Sequence, residues 1–494
     1  MMRGRAFVAT FAFFVVAQGA CGGGGAVVAD AQDPPDATIV PGEDASASVD
    51  ASADASVEDA RTSDVASEGE AGDASAPRVP PNILLVIGDD MGLDASVCHT
   101  VGADPGRAPH LQALCASGVV FDNVWTAPVC SPTRAGILTG RHSFRTGVGT
   151  VNLPLPVGER ALPKALVAGK PGYATAAFGK WHLSNASNGG ANHPNNVGFA
   201  QFSGSLGAQV SNFFNWSRVT NGLAANTTTY ATTANVNDAN AWIQAQTTPW
   251  FVWLAFNAPH APFHVPPAGL HTYTTLTGPP LPNPPIDHYH AALEAMDTEL
   301  GRLLGGLSPT VRAKTWVIFV GDNGTPPEVT QAPYTASKGS LYQGGVHVPL
   351  FISGPGVVDG GRRVSAIVHT VDIFKTVLEL AEVDMGAALP AGGNTVDSVS
   401  LVPYLTSANQ APLRPWVMTE VFGGAPFAGG RLGKAIRDER YKLIRFNDGG
   451  VELYDLDDDP YEASELHAAG PLSIDAEMHE AALGAALDTL LASP

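Results

Sequence analysis

Six short segments concentrate the residues capable of chemistry. Cys130-Ser131-Pro132-Thr133-Arg134 sets a thiol one helical turn before a guanidinium. A chain of this composition would reach its Cys-x-Pro-x-Arg pattern by chance on the order of one time in a hundred. Asp89-Asp90 places two carboxylates side by side, and these repel unless a cation neutralises them. Asp322-Asn323-Gly324 adds a third carboxylate and an amide oxygen. Together these oxygen donors suit a hard divalent ion, Ca²⁺ or Mg²⁺. Gly179-Lys180-Trp181-His182, Ala258-Pro259-His260 and Ser337-Lys338-Gly339 supply ammonium and imidazole groups that can hold an anion and move protons. Singly, each has a plainer use: a buried thiol at a helix start, a solvated turn, a surface lysine, a satisfied histidine.

Apolar runs precede four of these segments. Asn82 to Ile87 runs into Asp89-Asp90, Tyr173 to Phe178 into Lys180-Trp181-His182, Trp250 to Phe256 into His260, and Thr315 to Val320 into Asp322-Asn323. Strands buried on both faces of a parallel sheet read this way. Helical patterns lie between them, at Ala108 to Gly118, at Asp238 to Thr247 with Asp238 as N-cap, and at Tyr289 to Leu304. The alternation predicts an α/β fold with a doubly wound, mostly parallel sheet. Ligands of such sheets bind outside the carboxyl ends of the strands, so the four polar strand ends should converge. Towards the C-terminus, Trp416 to Phe422, Gly433 to Phe446 and Val451 to Leu456 read as strands. Arg437 to Arg440 and Asp448 to Gly450 are their hairpin joints. A helix from about Asp475 to Ala492 follows, so a smaller antiparallel sheet with a closing helix is expected beside the main one.

Composition narrows the function. The chain has 494 residues, 27 Lys+Arg against 47 Asp+Glu and a net charge of −20, which argues against a nucleic-acid binder. Four cysteines form neither a disulfide scaffold nor a zinc-ligand spacing. Cys98 and Cys115 are open to two readings, a disulfide or two buried thiols.

The Cys-x-Pro-x-Arg segment, followed by Leu138-Thr139-Gly140-Arg141, resembles that of the sulfatases. The Gly-Lys-Trp-His, Pro-His-x-Pro and Lys338 segments resemble further sulfatase motifs in the family's order. The likeness runs from about Asn82 to Glu465. Gln343 stands where the family commonly has glutamate, and Lys375 where it commonly has proline. The resemblance implies an alkaline-phosphatase-like fold and hydrolysis of a small-molecule or carbohydrate sulfate ester. It implies that a formylglycine-generating enzyme oxidises Cys130 to formylglycine. It also implies one divalent ion, Ca²⁺ ahead of Mg²⁺, held by Asp89, Asp90, residue 130, Asp322 and Asn323. In the implied mechanism one hydroxyl of the aldehyde hydrate attacks sulfur, with Asp322 assisting. Arg134, Lys180 and Lys338 neutralise the sulfate, and Lys338 or His260 protonates the leaving oxygen. His182 then deprotonates the second hydroxyl to release sulfate. A phosphonate monoester hydrolase or phosphodiesterase of the same superfamily is the rival enzyme, and a catalytically inactive surface binding protein the rival outside enzymology.

The remaining expectations concern the N-terminus. Arg3, Arg5 and the apolar run Ala6 to Ala17 read as an export signal, assigned to residues 1–20. Cys21, after Gln18-Gly19-Ala20, could carry a lipid anchor, giving a periplasmic or cell-surface protein. Residues 26–80 hold 13 acids, two arginines and no aromatic residue, so 21–80 reads as an acidic, extended linker. The catalytic domain is placed at 81–410 and a C-terminal subdomain at 411–494.

Overall fold

The computed structural model describes residues 80–278, 285–425, 427 and 430–493. The export signal, the Cys21 anchor and nearly all of the acidic linker lie outside the described residues.

The chain alternates strands and helices as the periodicity requires. The strands are β1 (Asn82–Asp89), β2 (Val119–Trp125), β3 (Ala174–Lys180), β4 (Gln201–Ser205), β5 (Trp216–Thr220), β6 (Leu223–Thr227), β7 (Trp250–Pro259), β8 (Thr315–Gly321), β9 (Leu350–Ser353) and β10 (Arg363–His369). They form one sheet in the order β10-β2-β9-β8-β1-β7-β3-β4-β5-β6. The run β8-β1-β7-β3-β4 is parallel throughout. The short β9 lies antiparallel between β2 and β8, and β5 and β6 form an antiparallel edge.

Burial explains the apolar runs. All eight residues of β1 are buried. Ile83, Leu85 and Ile87 enter one core, and Leu84 and Val86 enter the other on the opposite face. Strand β7 divides likewise, with Phe251, Trp253 and Ala255 against Val252, Leu254 and Phe256. Each such side chain contributes on the order of 1.5–3 kcal/mol by leaving water. Helices α1 (Pro109–Ser117), α4 (Ala231–Gln244) and α5 (Ile286–Gly306) fill the second core, through Leu111, Val236, Ile243, Leu293 and Met296. Helices α2 (Cys130–Thr139), α3 (Leu162–Gly169) and α6 (Ile373–Leu380) fill the first, through Ile137, Leu138, Leu162, Phe374 and Val377.

One expected detail is wrong. Asp238 does not cap a helix, because α4 begins seven residues earlier, at Ala231. Its carboxylate instead accepts from Ser203 Oγ at 2.6 Å and pairs with Arg218 at 3.3 Å. Those partners lie on β4 and β5, strands that no apolar run announced.

The second sheet, β11 (Val417–Val421), β12 (Gly433–Arg437), β13 (Tyr441–Phe446) and β14 (Val451–Asp455), is antiparallel in that order. One face packs on the closing helix α7 (Ile474–Ala492) through Ile436, Leu443, Leu453, Leu483 and Leu487. The other packs on Trp125, Val346 and Ile367 of the main body. At this junction the buried Lys442 ammonium meets the buried Glu462 carboxylate and lies 4.9 Å from the Trp125 ring centroid.

Cys98 and Cys115 form a disulfide that ties the loop after β1 to α1, 17 residues apart. Closing a loop of that size restricts the unfolded chain, so replacing both cysteines by serine should cost about 3 kcal/mol. Denaturant melts of the two forms would check it, and equal midpoints would exclude a stabilising role.

Candidate active site

Strands β8, β1, β7 and β3 are neighbours, so their carboxyl ends bring Asp322, Asp89-Asp90, His260 and Lys180 together as predicted. Helix α2 adds Cys130 at its first residue and Arg134 one turn on, both buried. The loop after β8 adds Lys338.

The cations and acids interlock. Lys180 Nζ donates to both Asp89 oxygens at 2.8 and 2.6 Å and to Cys130 Sγ at 3.4 Å. Arg134 donates Nε and one Nη to Asp322 Oδ2 at 3.0 and 2.7 Å, and its other Nη to the Lys180 carbonyl at 2.8 Å. Lys338 Nζ lies 2.5 Å from Asp90 Oδ1, and His260 Nε2 3.5 Å from Asp90 Oδ2. Asp322 Oδ1 accepts the Asp90 N–H at 3.0 Å.

Two site residues carry backbone strain. Asp90 and His182 have φ of 65° and 58°, which residues other than glycine adopt rarely. Asp90 is held there by that Asp322 bond and by the Tyr289 hydroxyl, which donates to its carbonyl at 2.9 Å. His182 is held by Ser131 Oγ, which donates to its carbonyl at 2.9 Å. Gly179, at φ 91°, must stay bare, since a Cβ there would sit 1.9 Å from the Ala255 carbonyl oxygen.

Burial governs the protonation states. It pushes the Cys130 thiol up to about 12 despite Lys180 and Lys338 nearby. It raises Asp89 to about 8 against the pull of Lys180, with the Asp322 and Asp90 charges adding to the rise. It opposes the charge on Asp90 too, but His260 and Lys338 hold that carboxyl well below its ordinary range. Burial takes His260 down to about 4 and His182 well below its ordinary value, so both rings are neutral near pH 7.

The donor set fits a hard cation. Ligand atoms of Asp89, Asp90, Cys130 and His260 lie within 4.8 Å of one another. Asn323 donates its amide to Asp90 Oδ1 at 2.8 Å, while its own Oδ1, buried, has no partner among the described residues. Crowded acids and an orphaned amide oxygen are what an oxygen-ligated divalent ion would satisfy. Asp322 stands apart from the tightest group, with one oxygen on Arg134 and the other on the Asp90 amide.

Sequence reasoning missed Tyr289 and Asn152. Asn152 Oδ1 lies 2.9 Å from His182 Nε2, and the Asn152 N–H donates to Ser131 Oγ at 3.2 Å. Neither residue belongs to a motif or an apolar run that could have marked it. The aromatic residues Phe213 and Trp216 are core, whereas Phe214 is 39% exposed.

A mostly parallel sheet with cations and carboxylates gathered at its strand ends is the architecture of an α/β enzyme acting on an anion. The chain belongs to the sulfatase family, enzymes that hydrolyse sulfate esters: residues 81–383 match the sulfatase family model. Residues 336–483 match the model of the N-sulphoglucosamine sulphohydrolase C-terminal region. The chain is 29% identical over 380 residues to N-acetylgalactosamine-6-sulfatase of Homo sapiens, covering 68% of this chain and 67% of that one. It is 28% identical over 466 residues to arylsulfatase G of Rattus norvegicus, covering 81% and 85%. Among solved structures, a protein in complex with its substrate D-glucosamine-2-N,6-O-disulfate superposes with a TM-score of 0.67 at 19% identity, covering 83% of this chain and 98% of that one. A protein in complex with a neocarrahexaose gives 0.70 at 23% identity, covering 84% and 93%.

Proposed function

We propose that this sulfatase cleaves a sulfate monoester on a carbohydrate, with residue 130 matured from cysteine to formylglycine and one divalent ion at the site. The observation that carries the reading is Cys130 itself. Its thiol, held at about 12 by burial, is protonated near neutral pH, so it is a poor thiolate nucleophile. Yet it sits among two lysines, an arginine and three acids. Such surroundings suit a group other than the thiol, and the aldehyde hydrate would supply a nucleophilic oxygen there. Asp89, Asp90, Asn323 and residue 130 would hold the ion, with Asp322 completing the set; bound, it would supply Lewis-acid charge to the sulfate oxygens.

The chain's own residues account for the rest. Asp322 fixes the Arg134 fork, and Lys180 and Lys338 bring ammonium groups to the same spot. These cations offset the charge of a sulfate and of the transition state. The His182 Nε2, donating to Asn152 Oδ1, would leave Nδ1 as a bare lone pair, and Nδ1 has no partner among the described residues. His182 is thus placed to accept a proton. Lys338, paired with Asp90, is placed to return one to the leaving oxygen; His260, neutral near pH 7, could do so only after first taking a proton. Carbohydrate as the substrate class is supported by the relatives' names, N-acetylgalactosamine-6-sulfatase and an ulvan-active sulfatase of Formosa agariphila. The N-terminal sequence supports export and, through Cys21, a lipid tether.

Mass spectrometry of the reduced tryptic peptide Ala108 to Arg134 tests maturation, after co-expression with a formylglycine-generating enzyme. Conversion of Cys130 should remove about 18 Da. An unshifted peptide, with the maturing enzyme shown active, would remove the formylglycine. Turnover of an aryl sulfate well above that of an aryl phosphonate monoester is expected; the reverse order would make the phosphonate hydrolase the correct reading. Chelation should lower turnover by at least ~10²-fold, with Ca²⁺ restoring more than Mg²⁺. Full activity in a sample shown to be metal-free would eliminate the ion.

A further inference from the structure

One buried cation has no part in this chemistry. Arg437 ends β12 at the junction of the two sheets and is 3% exposed. Its Nε donates to the Asp438 carbonyl at 2.8 Å, and Nη2 to the Glu439 carbonyl at 2.7 Å. Among the described residues, Nη1 has no hydrogen-bond partner and no carboxylate stands within ion-pair range. The buried acid of this region, Glu462, is committed to Lys442, which faces Arg437 across the β12–β13 register. Two buried cations therefore share one acid. Burial opposes the Arg437 charge, and the acids that offset it, Asp438, Glu462, Asp457 and Glu439, all stand beyond ion-pair range.

A cavity of about 260 Å³ opens against Arg437. Gln343, Tyr334 and His347 share its buried floor, and none of the catalytic residues lines it. The Arg437 guanidinium lies 6.0 Å from the Trp125 ring centroid, and Gln343 Oε1 accepts from Trp125 Nε1 at 2.8 Å. Gln343 is an amide and adds no charge to the wall. The acids that do line the cavity, Glu439 and Asp457, are exposed on its rim, where water screens them far more than it screens the floor. Asp122 is paired with Arg363.

We propose that this cavity is a second, noncatalytic site for a small oxyanion of sulfate size, with Arg437 Nη1 as its cationic anchor. The oxyanion supplies a counter-charge in direct contact and accepts the unused N–H. Tyr461 also lines the cavity, and its hydroxyl, without a hydrogen-bond partner among the described residues, is the second donor. The sulfate that a sulfatase releases is an oxyanion of this class.

Equilibrium dialysis of the matured, metal-loaded enzyme against labelled sulfate should find two sites per chain. Crystals soaked in selenate should place one anomalous peak at the catalytic cluster and one at Arg437. Gln343→Glu, whose folding a thermal melt verifies, places a carboxylate on the wall without removing Arg437. It should weaken the second site by roughly tenfold or more, through like-charge repulsion, and leave the catalytic peak in place. A wild-type enzyme with selenate at the catalytic cluster and none at Arg437 overturns the proposal. So does a Gln343→Glu enzyme that binds at Arg437 as tightly as the wild type.

Discussion

Cys130→Ala is expected to abolish turnover and leave the protein folded. The expected fall in kcat is at least ~10⁴-fold, or about 5.4 kcal/mol of barrier. Cys130 has 1% of its surface exposed and touches Lys180 at 3.4 Å, so the substitution deletes a single buried sulfur. A deletion that small should cost on the order of 1 kcal/mol of stability. Turnover and melting temperature should therefore separate sharply. A second readout sharpens the test: across wild-type preparations matured to different extents, activity should scale with the fraction of residue 130 lacking its thiol. Retention of activity within tenfold in Cys130→Ala, or full activity in an unmatured preparation, would remove residue 130 from the chemistry.

Lys442→Met should be the most destabilising single change outside the active site. It leaves the Glu462 carboxylate buried with its ammonium partner gone, and such losses run at about 3–5 kcal/mol. Burial already raises the Glu462 carboxyl and lowers the Lys442 ammonium, so each depends on the other for its charge. The loss should appear as an earlier denaturation midpoint. The double change Lys442→Met with Glu462→Leu should lose less than the single one, because the paired charges leave together, although Arg437 and the Gln343 N–H then lose Glu462. A single variant as stable as the wild type would show that water reaches Glu462 and that the pair contributes little.

What could be read in advance follows from how loudly each element speaks. Strands β1, β3, β7 and β8 are apolar without alternation because both faces are covered, and the polar residues at their ends then stand out. Their adjacency follows from the parallel-sheet rule, and it gathered Asp89, Asp90, Lys180, His260 and Asp322 as expected. Strands β4, β5 and β6 are short, polar and near the sheet edge, so Gln201–Ser205 and Leu223–Thr227 carry no such pattern. Asp238 misled because a helix-interior acid that pairs with neighbouring strands looks like a cap when those strands are invisible. Asn152 and Tyr289 act through single hydrogen bonds fixed only by the tertiary fold. The Cys98–Cys115 pairing was undecidable for a similar reason: spacing alone cannot say whether two side chains face each other.

The order of the main sheet also dictates when the enzyme can exist. Strand β1 emerges first in synthesis but lies between β7 and β8, and Asp90 reaches its Asp322 partner across 232 residues. Contacts of that span are slow to form and leave the apolar edges of β1 unpaired in the meantime. A nascent chain stopped before β8 would carry Cys130, Lys180 and His260 but no site. Both edges of β1 therefore stay open until β7 follows and one until β8, so production in a new host should depend on a chaperone that shields β1 until the fourth strand of the cluster arrives.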